Sequence, residues 1–529
     1  MPSDCINYQN SGYFSKLIVD YLNQKHELQS LYYRFPTLDN FLAQIEEKQN
    51  NFPIENRAVL VESLLQQNKN ISLSESTTEN IESLRLANTF TITTGHQLNL
   101  FTGPLYFIYK IVSVINLCKQ LKSEYPEFNF VPVYWMATED HDFEEINHFK
   151  IFDKKLSWNR QASGPVGRLT TEGLQNLFEE FSELIGTNDN AKQLKNWFQK
   201  AYLEHENLTE ATRYLVNEIF KEYGLVILDG DDQKLKQLFA PYVSRELQEQ
   251  VSYQQVSETL KHFSNYEAQV NPRELNLFYI EDNLRERIII EKGKFKINNT
   301  ILEFTQDEIL SELKNHPEKF SPNVILRPLY QEIILPNLCY VGGGGEIAYW
   351  LELKKMFDAF KITFPMLLLR NSVLVSSEKQ AKKADQLQLS WEDLFMTQQK
   401  LENKKTIEFS QFVIDFSQQK ENLKQQFEQL HAIAAKTDPS FIGAVKAQEV
   451  KQLKGLENLE KRLLKAEKRI HRDKLDRIFA IQNELFPNGG LQERQLNFSV
   501  LYKEYGDRFI NQLIEVLKPL EQDFTIITL

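Results

Sequence analysis

The sequence predicts an α/β protein in which a doubly wound parallel sheet is followed by a long helical segment. Two observations predict the sheet: short runs of apolar and β-branched residues end in turns rich in glycine or charge, and helical patterns follow these turns. A third observation predicts the helical segment, because apolar residues recur at steps of three and four along residues 423–470. Glycine and proline number only 19 and 17 of 529 residues, so few residues interrupt the helices.

The composition argues against several classes of protein. The formal charge of −12 is unfavourable for nucleic-acid binding, because neutralising phosphates requires a concentrated surface of lysine and arginine. No apolar run approaches the roughly 20 residues that span a bilayer, and the first residues lack the basic and apolar parts of a secretory signal. Cys5, Cys118 and Cys339 are too few and too far apart for a disulfide framework or a thiolate zinc site. We therefore expect a soluble, cytoplasmic, globular protein.

The first 88 residues are predicted to be mostly helical, and the first strand of the sheet follows at residues 90–94, where apolar and β-branched residues alternate. Gly95 ends this strand. Gly103 and Pro104 then open a helix, since proline suits the first helical position. Apolar residues at helical spacing predict a buried stripe on this helix. The stripe consists of Leu105, Ile108, Val112, Ile115 and Cys118.

Three further strands are predicted. Residues 128–136 are apolar almost throughout, which is typical of a strand buried on both faces, although Pro132 would cost a central strand one hydrogen-bond donor. Residues 225–228 form the third strand. Residues 362–369 form the fourth, after a helix that begins near Glu346. Strands that alternate with helices in this way predict a parallel sheet with helices on both faces.

The predicted domain organisation follows from these patterns. Hairpin-like and helical pieces between about residues 150 and 330 interrupt the sheet, which indicates inserted subdomains. Residues 376–487 are predicted to form a coiled-coil hairpin, and an ordinary helical bundle is the alternative because the heptad-like run is short. The predicted segments are 1–150 for the N-terminal helices and the first half of the core, 151–330 for the insertions with a core strand near 225–228, 331–375 for the remainder of the core, 376–487 for the helical domain and 488–529 for a C-terminal segment.

The first cluster of polar residues lies at the turn after residues 90–94, where open α/β sheets bind their ligands. Glycines allow a ligand to approach the backbone closely, and the following helix start offers free N–H donors to an anion. His96 is a candidate catalytic residue, although a structural histidine and a simple helix cap are the alternatives for this turn. The candidate binding residues are Thr94, Gly95, Gln97, Thr102 and Gly103.

The second cluster is the run Glu139, Asp140, His141 and Asp142, directly after residues 128–136. Four ionisable groups at the end of a buried strand are costly to hold unless they are paired, solvated or bound to a ligand. A histidine among carboxylates can accept a proton near neutral pH, so Asp140, His141 and Asp142 are candidate catalytic residues. The alternatives are a solvated acidic turn and a metal site. No metal-binding spacing such as His-Glu-x-x-His is present, and we predict no bound metal.

The third cluster is the run of four glycines at residues 342–345 with Glu346 after it. Ordering glycine costs backbone entropy, so the run is better explained by a loop that lies against a ligand than by packing, and a flexible hinge is the alternative. The run lacks the lysine of a Walker loop, and Ile347 takes the last glycine place of a dinucleotide motif. The candidate binding residues are Gly343, Gly344, Gly345 and Glu346, together with Arg370 and Asn371 at the end of the fourth strand.

Several motifs, in this order, make up a recognisable pattern. They are Thr-Gly-His-Gln at 94–97, Leu-Phe-Thr-Gly-Pro-Leu-Tyr at 100–106, Glu-Asp-His-Asp at 139–142, the glycine run with Glu-Ile-Ala-Tyr-Trp at 346–350, Leu-Arg-Asn-Ser at 369–372 and Phe-Pro-Asn-Gly-Gly-Leu-Gln-Glu-Arg at 486–494. Together they resemble the cysteine-adding enzymes of bacillithiol biosynthesis, a family of cysteine ligases, over essentially the whole chain. The resemblance adds Tyr349 to the candidate binding residues. Relatives can carry glutamine in place of His96, which implies that His96 is not an obligatory base.

The resemblance implies a Rossmann-like core with two connecting-peptide insertions, as in class I aminoacyl-tRNA-synthetase-like ligases, and a coiled coil that pairs two subunits into a homodimer. The implied reaction joins the carboxyl group of L-cysteine to the amine of glucosaminyl-malate, which makes bacillithiol. The resemblance also implies activation by a nucleotide, ATP or ADP, although no phosphate motif in the sequence demands ATP.

A mechanism can be outlined from these clusters. Amide formation at neutral pH needs an activated carboxyl group and an amine that has lost its proton. We expect His141 with Asp140 and Asp142 to deprotonate the glucosamine nitrogen, and the helix starts at Gly103 and Gly344 to hold malate carboxylates or a nucleotide phosphate. The alternatives are a nucleotidyl transferase or adenylating ligase that acts on another small carboxylic acid, and a non-catalytic coiled-coil binding protein.

Overall fold

The computed structural model describes residues 4–263 and 265–529. Up to the third strand the elements are β1 (Asp4–Asn7), α1 (Tyr8–Ser11), α2 (Lys16–Leu22), α3 (Leu38–Asn51), α4 (Ile54–Gln67), α5 (Glu75–Ser83), β2 (Thr89–His96), α6 (Tyr106–Glu124) and β3 (Asn129–Met136). The next elements are α7 (Phe143–Ile146), β4 (His148–Ile151), β5 (Lys154–Ser157), α8 (Leu174–Ile185), α9 (Asp189–Leu203), α10 (Leu208–Phe220) and β6 (Val226–Asp229).

The second half of the chain begins with further helices and a run of short strands. These are α11 (Gln233–Glu249), α12 (Val251–Leu260), β7 (Leu277–Glu281), β8 (Leu284–Glu291), β9 (Lys294–Ile297), β10 (Glu303–Phe304), α13 (Gln306–Asn315), β11 (Phe320–Pro322), α14 (Leu326–Ile334), β12 (Asn337–Gly342), α15 (Gly344–Leu351), α16 (Lys354–Phe360) and β13 (Met366–Leu369). The last elements are β14 (Val373–Ser376), α17 (Glu378–Gln386), α18 (Trp391–Phe395), α19 (Gln398–Phe409), α20 (Ser417–Ala434), α21 (Pro439–Ile470), α22 (Arg472–Leu485), α23 (Gln492–Gln495), α24 (Phe498–Tyr505), α25 (Asp507–Val516) and β15 (Asp523–Thr528).

The core of the protein is a five-stranded parallel sheet with the order β13-β12-β2-β3-β6. Counted along the chain, these strands run 3-2-1-4-5 from one edge to the other, which is the doubly wound order. The predicted fold class is therefore confirmed. The direction of winding reverses between β2 and β12, and the crevice at such a reversal is where sheets of this type bind ligands.

One core strand was not predicted from the sequence. Residues Asn337–Gly342 form β12, which lies between β13 and β2 and is buried throughout. Asparagine is disfavoured in strands, but the side chain of Asn337 donates to the Glu332 carboxylate (2.6 Å) and accepts from the Thr93 hydroxyl (2.9 Å). Both partners are buried and belong to other elements, Glu332 to α14 and Thr93 to β2. Their hydrogen bonds compensate for the low strand propensity of asparagine.

One predicted strand boundary was wrong, and one predicted strand contains a proline that the sequence made doubtful. The strand predicted at residues 362–369 begins only at Met366, because Pro365 before it has no N–H to donate to a neighbouring strand. Pro132 does lie inside β3, contrary to the concern about a central proline. It is tolerated because the pairing of β3 with β6 starts one residue later, at Val133.

Two insertions interrupt the core sheet. The first lies between β3 and β6 and contains the β4–β5 hairpin and helices α7 to α10. The second lies between β6 and β12 and contains an antiparallel sheet with the order β10-β9-β8-β7-β11. Strands β7, β8 and β11 of this second sheet face the carboxyl ends of the core strands, as the lining of the cavity described below shows.

The C-terminal part combines a small sheet with long helices. Strand β15 pairs with β14 in parallel and with β1 in antiparallel fashion, so the two ends of the chain meet in one sheet. Helices α20 and α21 form the predicted coiled-coil hairpin, in which Phe427, Ala434 and Val445 are buried together. Asp438 caps α21 and Pro439 occupies its first turn. Within residues 4–263 and 265–529, we find no helix with the length and apolar character that crossing a membrane requires.

Candidate active site

A cavity of about 730 Å³ lies at the carboxyl ends of β2, β3 and β12. Its position coincides with the reversal of the sheet between β2 and β12, where a ligand is expected. Parts of all three predicted clusters meet here, although they are far apart in the sequence. The predicted residues that line the cavity are Gly95, His96, Gln97, Asp140, Gly343, Gly344, Gly345, Glu346, Tyr349 and Arg370.

Three residues of the first cluster lie away from the cavity. Thr94 is inside β2, and Thr102 and Gly103 precede α6, which begins later than predicted. The hydroxyl of Thr94 donates to the carbonyl oxygen of Val341 at 2.7 Å and so holds β2 against β12. The turn that contains Thr102 and Gly103 packs against the C-terminal part of the chain, where the Asn497 amide donates to the Gly103 carbonyl oxygen at 2.7 Å. The helix start near Gly103 therefore does not face the cavity.

The other predicted residues outside the lining are Asn371, His141 and Asp142. Asn371 is buried and accepts a hydrogen bond from the Ser113 hydroxyl (2.9 Å), which fixes the end of β13 to α6. His141 and Asp142 are exposed at the surface in the turn after β3. In the part of the chain that the structure describes, no three histidine, cysteine or acidic side chains are grouped so that they could hold a metal ion.

The glycine turn is held in place by Glu346. Its carboxylate accepts from the backbone N–H of Gly343 (2.8 Å) and from the hydroxyl of Tyr340 (2.6 Å), and it contacts the Lys110 ammonium at 2.5 Å. Burial opposes its ionisation, but Lys110 and these donors hold the pKa of Glu346 below its ordinary value. Glu346 is therefore ionised, and its hydrogen-bond donors and its cation are all groups of the protein itself.

Asp140 and His141 also have partners within the protein. Asp140 accepts from the backbone N–H of His141 (2.7 Å) and from the side chain of Gln97 (2.9 Å). Burial raises the pKa of Asp140, but these donors and the nearby Arg285 outweigh burial and bring the pKa well below its ordinary value. Arg285 contacts Nδ1 of His141 at 2.6 Å. Because arginine only donates, this contact requires His141 to accept at Nδ1.

His96 is enclosed by aromatic rings on the cavity wall. Its ring lies 5.5 Å from that of Tyr106 and 5.0 Å from that of Phe107, between centroids. Burial, and then the positive charge of Lys110, hold the pKa of His96 well below its ordinary value. Its Nε2 atom is buried and has no hydrogen-bond partner in the described chain. His96 is therefore neutral at pH 7 and contributes mainly an apolar surface.

Glu139 lines the cavity although the sequence did not assign it a role. Its Oε1 atom contacts Nζ of Lys236 at 2.5 Å. Lys236 is 1% exposed and also donates to the backbone oxygen of Glu318 (2.9 Å). Burial raises the pKa of Glu139 above its ordinary value in spite of this contact. The only sequence signal was its place at the head of the acidic run.

Basic side chains outnumber acidic ones along the cavity, in contrast to the net charge of the whole chain. Arg327 has no carboxylate oxygen within 4.0 Å among the described residues, and its hydrogen bonds go to Gln331 (3.0 Å) and Tyr349 (3.2 Å). A partly buried cation without a counter-ion favours an anionic ligand. The basic residues of the lining are Lys110, Arg273, Arg285, Arg287, Arg327, Arg370 and Arg494, and the acidic ones are Glu139, Asp140 and Glu346.

The sequence analysis missed most of these arginines. Arg273, Arg285 and Arg287 belong to the second insertion, where Arg273 precedes β7 and the polar residues 285–287 of β8 are followed by three isoleucines. Residues two apart on a strand share a face, so Arg285 and Arg287 are expected on one face of β8, but the sequence does not indicate which surface that face meets. The structure places the face against the core sheet.

Arg370 provides a second basic group near the glycine turn. Its guanidinium binds the Glu493 carboxylate through two contacts (2.6 and 3.1 Å), while its Nε atom is buried without a hydrogen-bond partner. A Cβ atom added to Gly343 would lie 3.9 Å from that Nε. The N–H groups of Gly344 and Gly345 begin α15 beside it. This end of the cavity fits a carboxylate or a phosphate.

Comparison with known proteins gives matches along the whole length. The family model described as "Bacillithiol biosynthesis BshC, N-terminal Rossmann-like domain" matches residues 1–371. The model described as "Bacillithiol biosynthesis BshC, C-terminal coiled-coil domain" matches residues 373–529. The boundary between the two models falls between β13 and β14, where the core sheet ends.

Relatives named "Putative cysteine ligase BshC" include the following three. The protein of Flavobacterium johnsoniae is 63% identical over 529 residues, which cover 100% of both chains. The protein of Flavobacterium psychrophilum is 60% identical and covers 100% of this chain and 99% of its own. The protein of Christiangramia forsetii is 55% identical with the same coverage, 100% and 99%.

Proposed function

The chain belongs to the bacillithiol biosynthesis BshC family, and we propose that it is a ligase that joins the carboxyl group of L-cysteine to the amine of glucosaminyl-malate. The product of this amide bond is bacillithiol. The observation that carries the choice of substrate is the basic cavity at the reversal of the sheet. The malate part of the substrate has two carboxylates, which match basic groups that lack counter-ions.

The two ends of the cavity suit different anionic groups of the reactants. Arg327, with no carboxylate partner in the described chain, suits a malate carboxylate. Gly344 and Gly345 at the start of α15, together with Arg370, suit a second anion. A nucleotide such as ATP would fit there through its phosphates and would supply the activation of the cysteine carboxyl group. The protein's own part is to bind and orient the substrates and to exclude water.

The contacts favour positioning roles for Asp140 and His141, two of the four residues that were predicted to be catalytic. Asp140 holds Gln97 and the turn after β3, and His141 is oriented by Arg285. Asp142 is exposed outside the cavity. His96 closes the wall as a neutral ring. In this proposal none of the four accepts the proton of the amine.

The exposed side of the coiled coil supports a homodimer. In α21 the apolar residues Val450, Leu459 and Ile470 are 58%, 52% and 71% exposed. Leu459 and Ile470 belong to the predicted heptad-like stripe and are eleven residues apart, about three turns, so they lie on one face of the helix. A second copy of the chain would bury this stripe. For a biosynthetic enzyme of small molecules, we propose the cytoplasm as its location.

The direct test is to incubate the purified protein with cysteine and glucosaminyl-malate, with and without ATP, and to detect the product by mass. The expected result is a product with the mass of bacillithiol that requires both substrates. In parallel, cells that lack the chain should lose bacillithiol and accumulate glucosaminyl-malate. Unchanged bacillithiol in those cells would overturn the proposal. Pyrophosphate release that does not require cysteine would instead indicate an adenylating ligase for another acid.

A further inference from the structure

Three carboxylates line the cavity, and two of them are fully engaged. Both oxygens of Asp140 accept hydrogen bonds, from the His141 backbone N–H and from Gln97. Both oxygens of Glu346 also have donors within the protein, which come from Tyr340, Gly343 and Lys110. A carboxylate in such a setting is stabilised as an anion and is a weak proton acceptor.

Glu139 differs from the other two carboxylates. Its Oε1 atom is enclosed and lies 2.5 Å from Nζ of Lys236 in an ion pair whose geometry does not make a hydrogen bond, whereas its Oε2 atom accepts no hydrogen bond from the described residues and is not fully enclosed. Lys236 is also shared with Asp231 (3.4 Å), whose carboxylate is bound by Arg168 through two contacts (2.8 and 3.0 Å). The ammonium therefore fixes the orientation of Glu139 without fully balancing its charge.

We propose that Glu139 is the catalytic residue that takes the proton from the ammonium group of the amino-sugar substrate. The inference rests on the proposed function, because it requires an amine substrate. In the step itself one N–H bond of the ammonium breaks and its electron pair stays on nitrogen. The proton forms an O–H bond with Oε2 of Glu139, and the neutral amine can then attack the activated carboxyl group. The charges cancel, and no oxidant or further reactant takes part.

The electrostatics of the surroundings agree with this assignment. Burial raises the pKa of Glu139, and the neighbouring Asp231 acts in the same direction, whereas Lys236 and Arg285 oppose them. Tyr330 of α14 also lies close enough to interact with the charge of Glu139. Burial also raises the pKa values of Asp140 and Glu346, but their donors outweigh it, so these two stay below ordinary values. A base that works near neutral pH is best served by a raised carboxyl pKa.

The test uses cells that lack the chain and receive full-length gene copies. The wild-type gene should restore bacillithiol, and Glu139→Gln should lower it at least about a hundredfold with accumulation of glucosaminyl-malate. The matched control is Glu303→Gln on the exposed strand β10, which should restore bacillithiol fully. Failure of the wild-type gene would overturn the proposed function and this inference with it. Restoration by Glu139→Gln would overturn the inference alone.

A second measurement separates catalysis from a structural role. Extracts of the same cells that carry Glu139→Gly are assayed for amide formation with added formate, because a small carboxylate can occupy the space of the missing side chain. Formate should raise the rate of amide formation of Glu139→Gly at least about tenfold. It should have no effect on Glu139→Gln, because the glutamine side chain fills that space. Loss of activity that formate cannot restore would overturn the assignment.

Discussion

The ammonium of Lys110 contacts the carboxylate of Glu346 at 2.5 Å, and this pair joins the elements that surround the cavity. Lys110 lies on α6 and Glu346 on α15. The same ammonium donates to the carbonyl oxygen of Gly95 at the end of β2 (2.8 Å). One buried cation therefore holds both glycine turns that flank the reversal of the sheet.

Replacing Lys110 by methionine should destabilise the protein, because Glu346 would keep its burial and lose its cation. Breaking a buried pair costs about 3–5 kcal/mol, and we expect the lower end since Glu346 is 24% exposed. The loss is measured as a lower free energy of unfolding in denaturant. The control Lys192→Met removes an exposed ion pair with Asp189 and should cost less than about 1 kcal/mol. Equal effects of the two substitutions would contradict the role of Lys110.

Arg370 and Glu493 should behave as a coupled pair. Their side chains are 4% and 1% exposed, so Arg370→Met alone should cost about 3–5 kcal/mol by leaving a buried carboxylate without its partner. The double variant with Glu493→Leu should be more stable than the single one, because neither charge then remains unpaired. A double-mutant cycle in denaturant measures the difference. Simple additivity of the two substitutions would show that the pair does not couple.

Glu352 should make stability depend on pH. Its carboxylate accepts from the backbone N–H groups of Gln269 and Val270, but burial raises its pKa to about 7 from an ordinary value of 4.5. Between these values the folded state keeps a proton that the unfolded state releases, so this group's contribution to stability is lost as pH rises from about 4.5 to about 7. Above that range its contribution stays constant.

The variant Glu352→Gln cannot ionise, and its stability should fall less steeply than that of the wild type across the same pH range. The free energy of unfolding is measured at several pH values for both proteins. Glu378→Gln changes a surface carboxylate that is 71% exposed and serves as the control, with the slope of the wild type. A slope that Glu352→Gln leaves unchanged would assign the pH dependence to other groups.

The proposed homodimer should depend on the exposed stripe of α21. Leu459→Lys together with Ile470→Lys places charges on residues that are 52% and 71% exposed in the single chain. We expect the mass in solution to fall by half, measured by sedimentation equilibrium, with little change in the melting temperature. Gln418→Lys near the start of α20 should leave the mass unchanged. A wild-type protein that is already a monomer at the same concentration would contradict the prediction.

The sheet was largely predictable because its strands carry local signals. The apolar run at residues 128–136 became β3 and the run at 225–228 became β6, each within about one residue of the prediction. Strand β12 was missed because Asn337 is a poor strand residue whose cost is offset by Glu332 and Thr93. These hydrogen bonds form only when the elements pack together, so the sequence pattern does not reveal them.

The cavity was predictable only on its core side. Glycines and charged residues that follow strands, such as Gly95, Asp140 and Gly344, can be located from the sequence because the carboxyl ends of parallel strands meet at one edge. The opposite wall, with Arg285 and Arg287, comes from an inserted sheet. Periodicity shows which of its residues share a face, but it does not show what that face meets.

The sequence by itself determined the kinds of elements, their order and the turns that carry reactive side chains, since these depend on residues close together along the chain. Only the tertiary structure decided which charges neutralise each other. Lys110 reaches Glu346, and Lys236 reaches Glu139, across separations of 236 and 97 residues. Electrostatic pairing depends on distances of a few ångströms, and the fold alone sets those distances.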